Sequence, residues 1–222
     1  MNWKTFFMLK KKLKQSQIFS DTEGDNSFLR NGEHFNFAIY DAVMKLNPPK
    51  SNSLLEIGCG CGSTLKKIKD SLELDVYGID VSNKAIIHAK KENNITNAKV
   101  SSWEDYHPKR KFDIVVDGGY LYVTENKLLK KAIEKLLSLT KKNGHLIIWD
   151  YDTTEDYSNE WKHDPRLKSY KRNMTRVFSN FLKNDLYLIS KELYFHDSTS
   201  KFNYNTDDKD CCCCLMIFQK LT

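Results

Sequence analysis

No stretch of this 222-residue sequence approaches the ~20 consecutive apolar residues that a membrane-spanning helix requires. No secretory leader is expected either. The apolar run at residues 1–9 is short, Lys10, Lys11 and Lys12 follow it, and no small-residue cleavage site appears. A cytoplasmic protein without membrane contact is therefore expected. A disulfide framework is also missing. The six cysteines are Cys59, Cys61, Cys211, Cys212, Cys213 and Cys214, and four in a row cannot pair among themselves, because strand neighbours point to opposite faces. Their spacing is not that of metal ligands, so no metal is expected. The run instead suits a buried strand of reduced thiols, with Cys211 and Cys213 on one face and Cys212 and Cys214 on the other. No segment interleaves arginines with aromatics as nucleic-acid modules do. The net charge of +6 comes from lysines scattered beside glutamates, the pattern of solvated helix faces, which disfavours a nucleic-acid partner. Repeats and low-complexity linkers are absent. With 40% hydrophobic and 29% charged residues, the chain fits one globular domain with at most a short extension.

What is present is alternation. Residues 1–34 carry no strand pattern: Trp3, Phe6, Phe7 and Leu13 line one side of a short helix, and residues 21–32 are polar and turn-rich. This segment is expected to form a helical cap folded over the mouth of the ligand crevice, with residues 35–222 as the main domain. A helix over 35–46 stops at Pro48-Pro49. Strands then follow at 53–57, 75–79, 99–101, 112–116 and 145–149. Helices are expected at 63–72, from the Ser82 cap to about Glu92, and at 125–141, with Gly144 as a helix C-terminal glycine. Such alternation implies a parallel sheet with right-handed crossovers. Residues 166–183 read as one amphipathic helix with Met174, Val177, Phe178, Phe181 and Leu182 inward. Two strand-like runs, 186–195 and 211–219, close the chain without a helix between them, which suggests an antiparallel pair at the end of the sheet.

The chemistry concentrates in Leu54-Leu55-Glu56-Ile57-Gly58-Cys59-Gly60-Cys61-Gly62-Ser63, where a strand ends, turns on glycines and enters a helix. Ligands of such sheets bind beyond the carboxyl ends of the strands. Gly78-Ile79-Asp80 ends the second strand with a carboxylate able to accept hydrogen bonds from both ribose hydroxyls. Dinucleotide enzymes share this layout but carry G-x-G-x-x-G. Here the spacing is G-x-G-x-G, with Glu56 two positions ahead.

This string resembles the first motif of class I S-adenosylmethionine-dependent methyltransferases. Phe112-Asp113-Ile114-Val115-Val116 and Lys142-Asn143-Gly144-His145-Leu146 resemble that family's fourth and fifth strands, so the likeness spans about residues 51–150. The resemblance implies a Rossmann-like α/β fold: a seven-stranded sheet in the order 3-2-1-4-5-7-6, strand 7 antiparallel, helices on both faces. It implies S-adenosylmethionine as cofactor, bound by Glu56, Gly58, Cys59, Gly60, Gly62, Asp80, Val81, Ser102, Trp103, Asp117 and Gly118. Glu56 would hold the amino-acid end and Asp80 the ribose. Ser102 or Glu104 would replace the usual adenine-binding aspartate, with Trp103 over the ring. Catalytic candidates at the strand ends are Asp117, Tyr120, Asp150 and His196. Lys171-Arg172-Asn173, Tyr194-Phe195-His196-Asp197 and Asp207-Asp208 further resemble methyltransferases associated with pseudaminic acid biosynthesis, which implies a sugar or glycan precursor. The expected function is methyl transfer to a small-molecule acceptor. An RNA or nucleotide methyltransferase and a non-catalytic cofactor-binding scaffold are the alternatives.

Overall fold

The computed structural model describes residues 15–33, 35–161, 164–182, 184–194 and 212–222. Its main sheet contains β1 (Ser53–Ile57), β2 (Asp75–Asp80), β3 (Ala98–Val100), β4 (Phe112–Asp117), β5 (Thr140–Asp152), β8 (Leu186–Tyr194) and β9 (Cys212–Lys220). The order is β3-β2-β1-β4-β5-β9-β8, and β9 runs antiparallel to both neighbours. This is the expected topology. All five residues of β1 are buried, as a central parallel strand covered on both faces requires. One face carries α3 (Phe37–Leu46), α4 (Ser63–Leu72) and α5 (Asn83–Lys91), which press Val43, Leu65 and Ile86 towards Leu54, Val76 and Ile114. The other carries α6 (Asn126–Leu139) and α7 (Met174–Ser179), which bury Ile133, Leu136 and Phe178 against Leu55, Val115 and Phe218. Among the described residues, no helix is long and apolar enough to cross a membrane.

Three expectations need correction. Residues 166–183 are not one helix. Lys168–Lys171 forms β7, an antiparallel partner of β6 (Tyr157–Glu160), and only Met174–Ser179 is helical. The break falls where Arg172 turns inward, 2% exposed, and where the Asn173 side chain accepts the Arg176 N–H at 2.9 Å to cap α7. Six residues cannot sustain a helix alone. α7 persists because Met174 and Phe178 are buried, the latter ring 4.7 Å from Phe218. Second, Gly144 caps no helix. It lies inside β5, where a Cβ would stand 2.7 Å from the Asp113 carbonyl oxygen, so close passage against β4 demands the glycine. Third, the fifth strand runs on to Asp152 instead of ending at Trp149.

The cysteine run behaves as expected where it is described. Cys212, Cys213 and Cys214 are buried in β9; Cys214 packs with Met216 and Phe218, and Cys213 with Tyr151 on the opposite face. Cys211 lies outside the described residues, as do Trp3, Phe6, Phe7 and Leu13. Ahead of the sheet stand α1 (Gln15–Phe19), a π-helical turn (Ser20–Gly24) and α2 (Asp25–Asn31). They are tied to the start of α5 by Asp25, whose Oδ1 accepts from Ser82 Oγ and Lys84 N, both at 2.9 Å.

Candidate active site

A cavity of about 480 Å³ opens over the carboxyl ends of β1, β2, β4 and β5. Its floor is the turn after β1. Gly58 N and Cys59 N both donate to the Ile79 carbonyl, at 2.8 and 3.0 Å, and Gly60 N donates to Asp80 Oδ2 at 2.9 Å. Gly60 sits at φ +52°, and a Cβ built there meets no atom within 4 Å, so its backbone faces open cavity. Gly118 backs the turn from β4; a Cβ there would lie 2.8 Å from the Gly58 oxygen. Cys59 lines the cavity, but its sulfur turns down onto Gly78, where a Cβ would come within 2.6 Å. Burial pushes this thiol well above its ordinary pKa, which makes it inert. Gly62 is not among the lining residues: it packs under Ile95 and Ala89 at the start of α4.

Asp80 also accepts from Ser82 N at 2.8 Å through Oδ1. Each of its oxygens thus holds one backbone N–H and retains acceptor capacity for a ligand hydroxyl. Burial raises its pKa, opposed by those N–H donors. Val81 lines the cavity beside it.

Carboxylates form the site's main electrostatic feature. Glu56 is 4% exposed and its Oε2 has no partner; burial first, then the charges of Asp80 and Asp117, raise its pKa to about 8. Asp117 accepts from Gly119 N at 3.1 Å and Tyr120 N at 2.8 Å through Oδ1, while its buried Oδ2 has no partner. Burial lifts it to about 7 against the pull of those hydrogen bonds. Asp150 accepts from Tyr151 N at 2.6 Å, and its Oδ2 is likewise buried without a partner. Burial and the nearby Asp117 raise it well above the carboxylate range, with Arg172 opposing. Unpaired buried oxygens of this kind are costly unless a ligand meets them. A cation carrying N–H donors fits such a set.

The adenine-side candidates divide. Ser102 is engaged with Asp105, donating to Oδ2 at 2.9 Å and accepting from its N–H. Glu104 keeps a buried, unpartnered Oε2 on the cavity wall, so it is the free acceptor of the pair. Trp103 lines the same wall, its ring 6.0 Å from that of Tyr120. Of the catalytic candidates, Tyr120 and Asp150 line the cavity. Tyr120 donates its hydroxyl to the Ala132 carbonyl at 3.3 Å. Asp117 lies beneath the lining, and His196 falls outside the described residues.

Sequence reasoning singled out neither Tyr122 nor Trp149 at the aromatic end of the cavity. Tyr122, Trp149 and Tyr194 line it with Tyr151, and Phe19 and Phe28 reach it from the N-terminal helices. Trp161, after β6, stacks on Tyr122 at 5.7 Å and meets Phe19 edge-on at 5.9 Å. Arg172 holds the turn that carries Tyr122: it donates to Asn126 Oδ1 at 2.7 Å, to the Leu121 carbonyl at 2.9 Å and to the Thr124 carbonyl. The one legible signal was the period-2 spacing of Trp149 and Tyr151; the partners across the sheet depend on a register the sequence does not display.

Comparison with known proteins gives a consistent picture. Residues 49–204 match a family model described as a methyltransferase domain. The ubiquinone biosynthesis O-methyltransferase of Pelagibacter ubique (strain HTCC1062) is 38% identical over 106 residues, covering 46% of this chain and 42% of that protein. The chain thus spans about two-fifths of that relative's length. Among solved structures, the N-methyltransferase NodS from Bradyrhizobium japonicum WM9 with S-adenosyl-L-homocysteine superposes with a TM-score of 0.61 at 17% identity, over 93% of this chain and 98% of that one. The 1,6-didemethyltoxoflavin-N1-methyltransferase of Burkholderia thailandensis gives 0.68 at 11% identity, over 94% and 87%. The [4+2]-cyclase SpnF gives 0.71 at 14%, over 95% and 98%. At such identities these structures share the fold, and the cyclase among them shows that the fold alone does not fix the reaction.

Proposed function

Because the chain belongs to the methyltransferase domain family, which its residues 49–204 match, we propose that it transfers a methyl group from S-adenosylmethionine to a small-molecule acceptor. The observation that carries this reading is the buried, unpartnered Oε2 of Glu56 beneath a glycine turn whose Gly60 faces open space, with Asp80 at the adjoining strand end. In this reading Asp80 takes the ribose hydroxyls, Glu104 and Trp103 the adenine, and Glu56 the ammonium of the methionine end. The bound cofactor supplies a methyl group on a sulfonium, already an activated leaving group. The chain's task is then mainly to position the acceptor, which can supply ~7–11 kcal/mol of the barrier. A base adds typically ~10²–10⁴-fold, and Asp150 is the group placed to take a proton.

Among the described residues, no Lys, Arg or His lines the cavity, which favours a small molecule over nucleic acid. The sugar or glycan precursor suggested by the C-terminal resemblance draws mostly on His196, Asp197, Asp207 and Asp208, outside the described residues, so the cavity geometry lends it no support. Buried free thiols at Cys59, Cys61, Cys212, Cys213 and Cys214 fit a reducing compartment such as the cytoplasm.

Isothermal titration tests the reading. S-adenosylhomocysteine should bind with micromolar affinity and NAD not at all; the reverse result overturns it. Turnover of S-adenosylmethionine with a metabolite extract should follow, and its complete absence would favour the non-catalytic scaffold.

A further inference from the structure

We propose that the methyl acceptor is an organic amine, bound as its ammonium form with an aromatic or apolar body beside it. This rests on the methyl-transfer reading above and narrows it. Four carboxylates line the cavity: Glu56, Asp80, Glu104 and Asp150. Among the described residues no cationic side chain lines it. Two cations beside Tyr151 and Asp150 are already engaged. Lys171 lies over the rings of Tyr151 and Tyr157, at 5.3 and 5.2 Å, and Arg172 is bound to Asn126 and to the carbonyls of Leu121 and Thr124.

Three of the carboxylates have work at the cofactor end. Asp150 is left over, on β5, with Oδ2 buried and unpartnered. Tyr151 pairs with Cys213 across the sheet and Cys213 with Tyr194. Trp149, Tyr151 and Tyr194 therefore share one face of the sheet, and Asp150 points from the other. The Trp149 and Tyr194 rings meet edge-on at 5.1 Å, and those of Tyr122 and Tyr151 at 5.6 Å. Although Asp150 leaves β5 on the opposite side from the aromatic rings, it lines the same cavity as Tyr122, Trp149, Tyr151 and Tyr194, so a carboxyl and aromatic faces border one space. Aromatic faces and a carboxylate together recognise an ammonium group. A phosphate or carboxylate acceptor would enter a low-dielectric space that offers it acid groups and no cationic side chain, whereas an ammonium would stabilise the ionised form of an acid there.

The step balances. The ammonium gives one proton to the Asp150 carboxylate, and the freed nitrogen lone pair attacks the methyl carbon. The carbon–sulfur bond breaks with its electron pair staying on sulfur as a neutral thioether. The product is the N-methylammonium, and Asp150 passes its proton to water.

The test reads binding, not turnover. The full chain is saturated with S-adenosylhomocysteine and titrated with phenyltrimethylammonium, a fixed cation that cannot be methylated, then with its neutral isostere tert-butylbenzene and with anionic phenylphosphonate. The cation should bind about ten-fold or more tighter than the isostere, and the anion should not bind. Asp150→Asn should erase the cation's advantage while leaving affinity for the isostere; should that variant not fold, the three-probe comparison on the wild-type chain decides alone. Equal or tighter binding of the isostere or the anion, or no binding of the cation, overturns the amine assignment while S-adenosylhomocysteine binding keeps the methyl-transfer reading. Failure of S-adenosylhomocysteine to bind overturns both.

Discussion

The two halves of the sheet end on the same cavity but build it differently. In β1, β2 and β4 each site group sits at a strand end and is positioned by backbone close to it in sequence or on the neighbouring strand. Asp80 is held by Gly60 N and Ser82 N, and Asp117 by Gly119 N and Tyr120 N. In β5, β9 and β8 the groups come together only through antiparallel register, Tyr151 beside Cys213 beside Tyr194, and through a side hairpin, β6–β7, that delivers Arg172. The first arrangement is local in sequence. The second depends on pairings far apart in the chain. The halves join through the β4–β5 pairing, and Arg172 adds a buried guanidinium tie between the hairpin and the turn after β4.

The largest effect should come from the acids at the junction of the halves. Glu56 titrates near 8 and Asp117 near 7 in the folded chain, both above the ordinary carboxylate value. A raised carboxylate pKa means the folded state holds protons that the unfolded state has released. Stability is therefore full below about pH 4, falls as pH rises through the window up to about 8, and levels off above it. For Glu56 the loss is on the order of 5 kcal/mol. Thermal melts of the ligand-free chain should show the decline, and Glu56→Gln should remove part of it, with Asp117 and Asp150 carrying the rest. A melting temperature that rises from pH 5 to 8 and is insensitive to Glu56→Gln would contradict the buried-acid account.

Next comes the tie itself. Arg172→Leu removes the donors to Leu121 and Thr124; the Leu121 carbonyl keeps the Thr124 N–H at 2.9 Å, but the Thr124 carbonyl is left without this donor, at a cost of about 3 kcal/mol. Urea melts should register that loss. If cofactor affinity falls as far as acceptor affinity, the halves are less separable than argued here. Smaller still is Asp80→Ala, expected to weaken S-adenosylhomocysteine binding by about 1.5–3 kcal/mol with the fold retained, since this acid lies at a strand end. Unchanged affinity by calorimetry would remove Asp80 from the cofactor site.

The same contrast explains what the sequence discloses. Glu56, Gly58, Gly60 and Asp80 were legible because strand, turn and helix follow in chain order, and so were the strand order and the inserted antiparallel strand. The hairpin was not. Met174 and Phe178 carry a true helical spacing, and extending it backwards over residues 166–173 concealed that Lys168–Lys171 is a strand. Only tertiary burial of Arg172 breaks the pattern, and a lysine- and arginine-rich stretch reads as a wet helix face until its partners are known. Gly144 misled for a similar reason: glycine serves a helix end and a crowded strand alike, and the crowding comes from β4.

The smallest effect tests whether the N-terminal helices belong to the cofactor half. Residues 1–34 are proposed as a cap, and Phe19, Gly24, Ser27, Phe28, Asn31 and Gly32 from that segment line the cavity. Part of their hold on the core runs through Asp25, which meets the first turn of α5 just after Asp80, alongside the Glu33–His88 and Phe28–His88 contacts. The Lys84 N–H above all, helped by the Ser82 hydroxyl, draws the Asp25 pKa down against its burial penalty, so its contribution is present above the ordinary carboxylate pKa and fades in acid. Asp25→Ala should cost about 0.5–1 kcal/mol, the scale of a lost helix-start acceptor, because Ser82 Oγ still caps Ala85 N at 3.0 Å. That cost should fall on docking of the segment and not on the sheet. The expected signature is earlier proteolytic cleavage within residues 15–33, a two- to five-fold weaker S-adenosylhomocysteine affinity on the scale of such a loss, and an unchanged core melting temperature. Affinity identical to wild type, with cleavage accelerated, would mean that these helices wall the acceptor end alone and that the cofactor is held by the sheet without them.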